Sequence, residues 1–173
     1  LLRATRGALR VRRLLASQFA TEGLVMSPDQ VLLAGSGTQA VDLICRLLVR
    51  RGDTVLVDDP CYFNFQALLK AHEIRIVGVP YTATGPDTEA FEQIVQQEKP
   101  RLYITNSVLH NPTGATLSPQ TAFRLLSTAA ASELLIVEDD IFADFETIPS
   151  PRLAVMDGLE RVIRVGSFSK ALS

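Results

Sequence analysis

Residues 161–165 form a short apolar run broken by Arg164, and Gly166-Ser167-Phe168-Ser169-Lys170 follows directly. A strand with this ending places an amine and two hydroxyls at the carboxyl edge of a sheet, where open α/β sheets bind ligands. A lysine there condenses with an aldehyde when nearby positive charge or desolvation lowers its pKa. The plainer alternative is a solvated lysine in a serine-rich turn. Four other stretches bear on that choice, because each also follows a short apolar run.

Gly35-Ser36-Gly37-Thr38 lies between an apolar run and a helix-like segment. Glycines there admit close approach to the backbone, and amides and hydroxyls at a helix start suit a phosphate. It is neither a P-loop, since no Gly-Lys-Ser/Thr ending follows, nor a dinucleotide fingerprint, since Ala40 breaks the spacing. A tight turn is the competing reading. Asp139 ends the run 134–138, with Glu138 and Asp140 as alternatives. A carboxylate at a strand end is costly unless it meets water or a cation, and that cation could be a protonated ring nitrogen, a metal or an arginine. With two histidines and no cysteine in ligand spacing, a metal site is a poor fit. Asn111-Pro112-Thr113-Gly114 offers an amide on a turn fixed by proline and glycine. Tyr62, after Asp59-Pro60-Cys61, can stack on a flat ligand or pack as an ordinary aromatic.

These residues need a scaffold, and the hydrophobic pattern predicts one. Helices are expected at 3–22, 38–50, 62–72, 87–97 and 118–131, the last with Ser118 as N-cap and Pro119 in its first turn. Strands are expected at 31–34, 54–57, 74–79, 101–104, 134–137 and 162–165. A turn is expected at Gly85-Pro86, and 141–160 reads as irregular. Short continuous apolar strands alternating with helices imply an α/β fold, with a mainly parallel sheet covered on both faces.

Composition narrows the function classes. Seventeen Lys and Arg are dispersed against 19 acidic residues, for a net charge of -2, which gives no nucleic-acid-binding surface; Arg10, Arg12 and Arg13 read as a solvated helix face. No apolar run reaches the length of a membrane span and no signal peptide is evident, so a cytoplasmic protein is expected. Cys45 and Cys61 read as free thiols. The sequence lacks an initiating Met and stops soon after Lys170, so a piece of a longer enzyme is expected.

Taken together, the five stretches suit a flat aldehyde with a phosphate arm: a lysine to condense with it, an acid to keep its ring nitrogen protonated, an amide for a ring oxygen, an aromatic to stack, and a glycine-serine loop for the phosphate. In order and spacing, Gly35 to Ala40, Asp59 to Tyr62, Asn111 to Gly114, Glu138 to Asp140 and Ser167 to Lys170 resemble the fold type I pyridoxal-phosphate aminotransferases of class I and II. Most similar are the aminotransferase-like domains of MocR-branch GntR regulators and the 2-aminoadipate and kynurenine type transaminases.

The resemblance implies a three-layer α/β/α sandwich of the aspartate aminotransferase type. Residues 1–173 would form part of the large cofactor-binding domain, without the small C-terminal domain and the N-terminal arm. It implies pyridoxal 5'-phosphate as cofactor and Lys170 as the aldimine lysine and proton shuttle. Asp139 would be the partner of the ring nitrogen, Asn111 would bond the ring oxygen and Tyr62 would stack. Ser36, Gly37, Thr38, Ser167 and Ser169 would hold the phosphate. It also implies amino-acid and 2-oxo-acid substrates and a homodimer.

One departure stands out. The family usually carries a tyrosine two or three residues after that aspartate, and this chain has Ile141 and Phe142, which should raise the aldimine pKa. The competing functions are an effector-sensing domain of a MocR-type regulator, with DNA bound by a separate N-terminal domain, and a partner-binding scaffold without the chemistry. β-Elimination and decarboxylation, other reactions of the same cofactor, stay open.

Overall fold

A computed structural model describes residues 5–170. Its centre is a six-stranded sheet: β1 (Thr54–Asp59), β2 (Arg75–Thr82), β3 (Gly85–Pro86), β4 (Leu102–Thr105), β5 (Leu135–Asp139) and β6 (Val162–Val165). The strand order is β3-β2-β1-β4-β5-β6. All neighbours pair parallel except β2 and β3, which form an antiparallel hairpin.

The sheet is buried on both sides because alternate residues supply two cores. Val55, Val57, Leu102, Ile104, Val137 and Val165 face helices α2 (Gly37–Leu48) and α3 (Phe63–Ala71), which contribute Val41, Cys45, Phe65 and Leu69. Leu56, Val79, Tyr103, Ile136 and Val162 face the other way. There they meet Phe91 and Val95 of α4 (Thr88–Glu98), Leu125 and Ala129 of α5 (Pro119–Ala131), and Leu153 and Ala154 of α6 (Leu153–Asp157). The result is the expected three-layer α/β/α arrangement, in which each strand alternates between two apolar faces.

Chain order reverses at the centre of the sheet. β1 leads outward to β2 in one direction, while β4, β5 and β6 extend in the other. A reversal of this kind leaves a crevice at the carboxyl ends of the central strands. Those ends carry Asp58 and Asp59 on β1, Thr105 on β4 with Asn106 just after it, and Glu138 and Asp139 on β5.

Several sequence expectations differ from the structure. Arg12, read as part of a solvated helix face, is buried, its guanidinium donating to the Pro28 carbonyl at 2.7 Å and to Asp29 Oδ1 at 3.1 Å. Residues 31–34 join no sheet. Val31 instead packs on Leu15 and Ala16 of α1 (Leu9–Thr21), with Leu33 beside it, so the helix supplies the burial a sheet was expected to give. Helix α1 starts at Leu9 and not at residue 3; residues 3 and 4 lie outside the described part. Gly7 has φ +88° and would place a Cβ 2.6 Å from the Leu33 side chain, so the turn ahead of the helix needs glycine both for its backbone and for close packing. Gly85-Pro86 forms β3, an edge strand paired with Tyr81 and Thr82, and not the turn itself.

The segment 141–160 holds a 3₁₀ turn, Ala143–Phe145, and the short helix α6. The N-terminus of α6 is satisfied from a distance, since the backbone N–H groups of Leu153 and Ala154 donate to Glu138. The α5 cap is as expected, with Ser118 Oγ accepting from Thr121 N at 3.1 Å. Cys45 and Cys61 are free thiols; burial pushes the Cys45 thiol up to about 11.

Candidate functional site

The three consecutive acids at the end of β5 separate by the period-two geometry of a strand. Glu138 faces the α4–α5–α6 core, fully buried, and accepts from Ser107 Oγ at 2.7 Å, Leu153 N at 2.8 Å and Ala154 N at 2.9 Å. Asp140 lies between two guanidinium groups, 2.9 Å from Arg152 Nε and 2.6 Å from a terminal nitrogen of Arg164. Burial still raises its pKa to about 6 against the pull of Arg164 and Arg152.

Asp139 is different. It is 5% exposed, its Oδ1 accepts only a long 3.3 Å bond from Ile141 N, and among the described residues no basic side chain pairs with it. Burial is the main cause that lifts its pKa to about 7, and the charges of Asp140 and Asp58 add to the lift. Of the three carboxylates, Glu138 is held by three donors and Asp140 by two arginines, while Asp139 has no basic partner among the described residues.

Several of the other sequence candidates come to this edge. Asp139 pairs in register with Val165, so Gly166 to Lys170 leave the sheet beside it. Ser167 Oγ and Ser169 Oγ lie 2.8 Å apart, and Ser167 Oγ accepts from Ser169 N at 3.1 Å; Lys170 follows them in an exposed turn. Gly37 abuts the same edge, since a Cβ there would stand 3.8 Å from Ile141 Cγ2. Ser36 caps α2 by accepting from Gln39 N at 3.1 Å, which leaves its hydroxyl proton free for a ligand; Ser36 and Thr38 are exposed.

Tyr62 packs on the cluster containing Val137 and Val165, so it lies on the same face of the sheet as Asp139. Its ring meets Phe65 edge-on with 5.7 Å between centroids, and its hydroxyl accepts from Asn64 Nδ2 at 2.6 Å. Asn111 is half-buried and is tied to the edge through its backbone, whose N–H donates to Asn106 Oδ1 at 2.8 Å. The structure does not bring Tyr62, Asn111 and Lys170 into direct contact with one another through any hydrogen bond among the described residues.

Sequence reasoning missed a second polar cluster beneath this edge. Asp58, buried on β1, accepts from Tyr103 Oη, from Thr105 Oγ1 at 3.1 Å and from Asn106 N at 2.9 Å. His110 Nε2 stands 3.2 Å from Asp58 Oδ2, and its ring stacks on Tyr81 with 3.8 Å between centroids. Burial, with Asp58 alongside, raises the pKa of both Tyr81 and Tyr103, so both hydroxyls stay protonated. The available signal was a tyrosine inside the apolar strand 102–105, whose hydroxyl requires a buried partner.

The arrangement can therefore offer a buried carboxylate to a cation, hydroxyls and a helix N-terminus to an anion, and an amine from the last turn. Residues 3–173 match the model for "Aminotransferase class I and II", and the chain belongs to that family. Among curated proteins it is 32% identical over 160 residues to the 2-aminoadipate transaminase of Thermus thermophilus, covering 90% of this chain and 40% of that protein. It is 29% identical over 170 residues to the uncharacterized HTH-type transcriptional regulator YdfD of Bacillus subtilis, covering 97% of this chain and 35% of that one.

Among solved structures it superposes with a TM-score of 0.90 on LysN, the α-aminoadipate aminotransferase of Thermus thermophilus, solved with N-(5'-phosphopyridoxyl)-L-leucine. The two are 30% identical over all of this chain and 44% of that one. The chain thus spans less than half the length of these relatives. Its sheet and flanking helices match the large-domain architecture of the aminotransferases.

Proposed function

We propose that the chain is part of the large domain of a pyridoxal-phosphate-dependent aminotransferase that moves an amino group between an amino acid and a 2-oxo acid. The observation that carries this reading is Asp139, a buried carboxylate with no cationic partner among the described residues, on the sheet face it shares with Tyr62 and at the edge Gly37 abuts. A protonated pyridine nitrogen would supply the missing cation. When bound, the cofactor would supply an electron sink for carbanion chemistry at the substrate's α-carbon.

The chain's own residues divide the remaining work. Lys170 would condense with the aldehyde and carry a proton to and from the reacting carbon. Asn111 would donate to the ring oxygen and Tyr62 would cover the ring face. Ser36, Gly37, Thr38, Ser167 and Ser169 would hold the phosphate at the start of α2. Phe142, where the resemblance leads one to expect a tyrosine, fills space without donating, which leaves Asn111 to bond the ring oxygen. The homodimer, the small domain and the N-terminal arm belong to this reading of the whole protein. No helix among the described residues is long and apolar enough to cross a membrane.

The test is the absorbance spectrum of the chain with added pyridoxal phosphate, beside that of Lys170→Ala. A visible band that the variant lacks supports the reading; no band, or one the variant keeps, sinks it. Similarity to YdfD and to two further HTH-type regulators, YisV and YdcR, favours a second reading, in which the same site senses cofactor and an amine effector. Adding amino acids to the loaded chain separates the two, since an enzyme releases 2-oxo acid and a sensor only shifts its spectrum.

A further inference from the structure

We infer that Asn106 is a positioning residue that fixes the spacing between the segments carrying Asp139 and Asn111; this rests on the cofactor reading above. Asn106 is 5% exposed and follows the last residue of β4. Each of its polar groups is engaged. Its backbone N–H donates to Asp58 Oδ2 at 2.9 Å, and its carbonyl accepts from Tyr81 Oη at 2.9 Å. Its side-chain Nδ2 donates to the Asp139 carbonyl at 2.7 Å and to the Val108 carbonyl at 3.2 Å, and Oδ1 accepts from Asn111 N at 2.8 Å.

The position explains the residue type. β4 ends at Thr105, where the β4–β5 ladder pairs Thr105 with Glu138, so the Asp139 carbonyl lies one step past the last residue pair. A side-chain amide reaching across from the next residue takes over as donor. The same amide presents an oxygen to the loop bearing Asn111. A side-chain amide donates two hydrogens from one atom and accepts on the other while uncharged at every pH. The hub is anchored in turn, because Asp58 holds the Asn106 backbone and is itself held by Tyr103 and Thr105. The two groups assigned to the nitrogen and the oxygen of one ring thus hang from one buried residue that need not touch the ring.

Two variants separate the two arms. Asn106→Ala removes both. Asn106→Asp keeps the shape and an acceptor for Asn111 N–H, but once ionised it loses the donors to the Asp139 and Val108 carbonyls. Ser118→Ala, which weakens the distant α5 cap, controls for loss of stability, and thermal melts confirm folding; if Asn106→Ala does not fold, Asn106→Asp carries the test.

Pyridoxal phosphate is titrated into each, and the Lys170-dependent band is followed against pH. Asn106→Ala is expected to weaken cofactor binding about tenfold or more, the equivalent of one lost hydrogen bond of about 1.4 kcal/mol. Both Asn106 variants are expected to move the pH midpoint of the band, while Ser118→Ala moves neither. Amide exchange without cofactor should show Asn111 N–H unprotected in Asn106→Ala and protected in Asn106→Asp. A wild-type chain without the band overturns the cofactor reading and the role of Asn106 with it. A wild-type band whose affinity and midpoint survive in both Asn106 variants overturns the positioning role alone.

Discussion

Replacing Asp139 by asparagine should change how stability depends on pH, in a direction and size the structure fixes. The carboxyl of Asp139 is buried without a cation, and its pKa rises from an ordinary 3.8 to about 7. Between these values the folded chain keeps a proton that the unfolded chain has released. Folding is therefore favoured at the acid end, and this contribution is lost as pH rises from about 4 to about 7. At about 1.4 kcal/mol per tenfold change in proton affinity, the loss is on the order of 4 kcal/mol.

Asp139→Asn removes the titration and keeps the shape. Asp140, also raised, to about 6, slopes the same way and is present in both proteins, so the difference between the two curves reports Asp139 together with its coupling to Asp140. The assay is urea unfolding of wild type and variant without cofactor, at steps from pH 4 to pH 8.5. The curves should converge at the acid end, and the variant should be the more stable by several kcal/mol above pH 7. Parallel curves would refute the reasoning. Added pyridoxal phosphate should stabilise the wild type more than the variant, since only the wild type can pair a carboxylate with a ring cation.

Glu138→Gln should be severely destabilising, by about 3 kcal/mol or more. It places an NH₂ group among three donors that now share two carboxylate oxygens, and chemical denaturation would show this as a lower midpoint with unchanged slope. In the proposed site, Phe142→Tyr should lower the pH at which the Lys170-dependent band titrates, because it would add a hydroxyl donor for the ring oxygen; an unchanged midpoint would mean that Phe142 does not face that oxygen.

The layered α/β fold was readable because alternating short apolar strands and amphipathic helices leave few other ways to bury both. Val31 to Ala34 misled for the same reason: an apolar run that short packs equally well on a helix, and only the tertiary partner decides. Asp139, Ser167 and Ser169 lie at or just past strand ends, as the sequence suggested, whereas Ser36, Gly37 and Thr38 do not follow a strand, since residues 31–34 join no sheet. The supports of the site were not legible. Glu138, Asp139 and Asp140 look alike in sequence, and what distinguishes them is contributed by Ser107, Arg152, Leu153, Ala154 and Arg164, all distant along the chain. Asn106 gave no local signal either, since its partners Asp58, Tyr81 and Asp139 come from three other strand segments.

The ion pair between Glu22 and Arg164 has a bearing on synthesis. Arg164 Nη1 donates to Glu22 at 2.7 Å across 142 residues of sequence, and its guanidinium also lies 4.8 Å over the ring of Phe19. During translation at about 5–20 residues per second, α1 leaves the ribosome roughly 7–30 s before this partner exists. Its apolar side is not bare in the interval, because Leu15 and Ala16 pack on nearby Val31, a cluster complete within the first few dozen residues. That local cluster can form before β6 exists, whereas the contacts of Glu22 and Phe19 with Arg164 must wait for it.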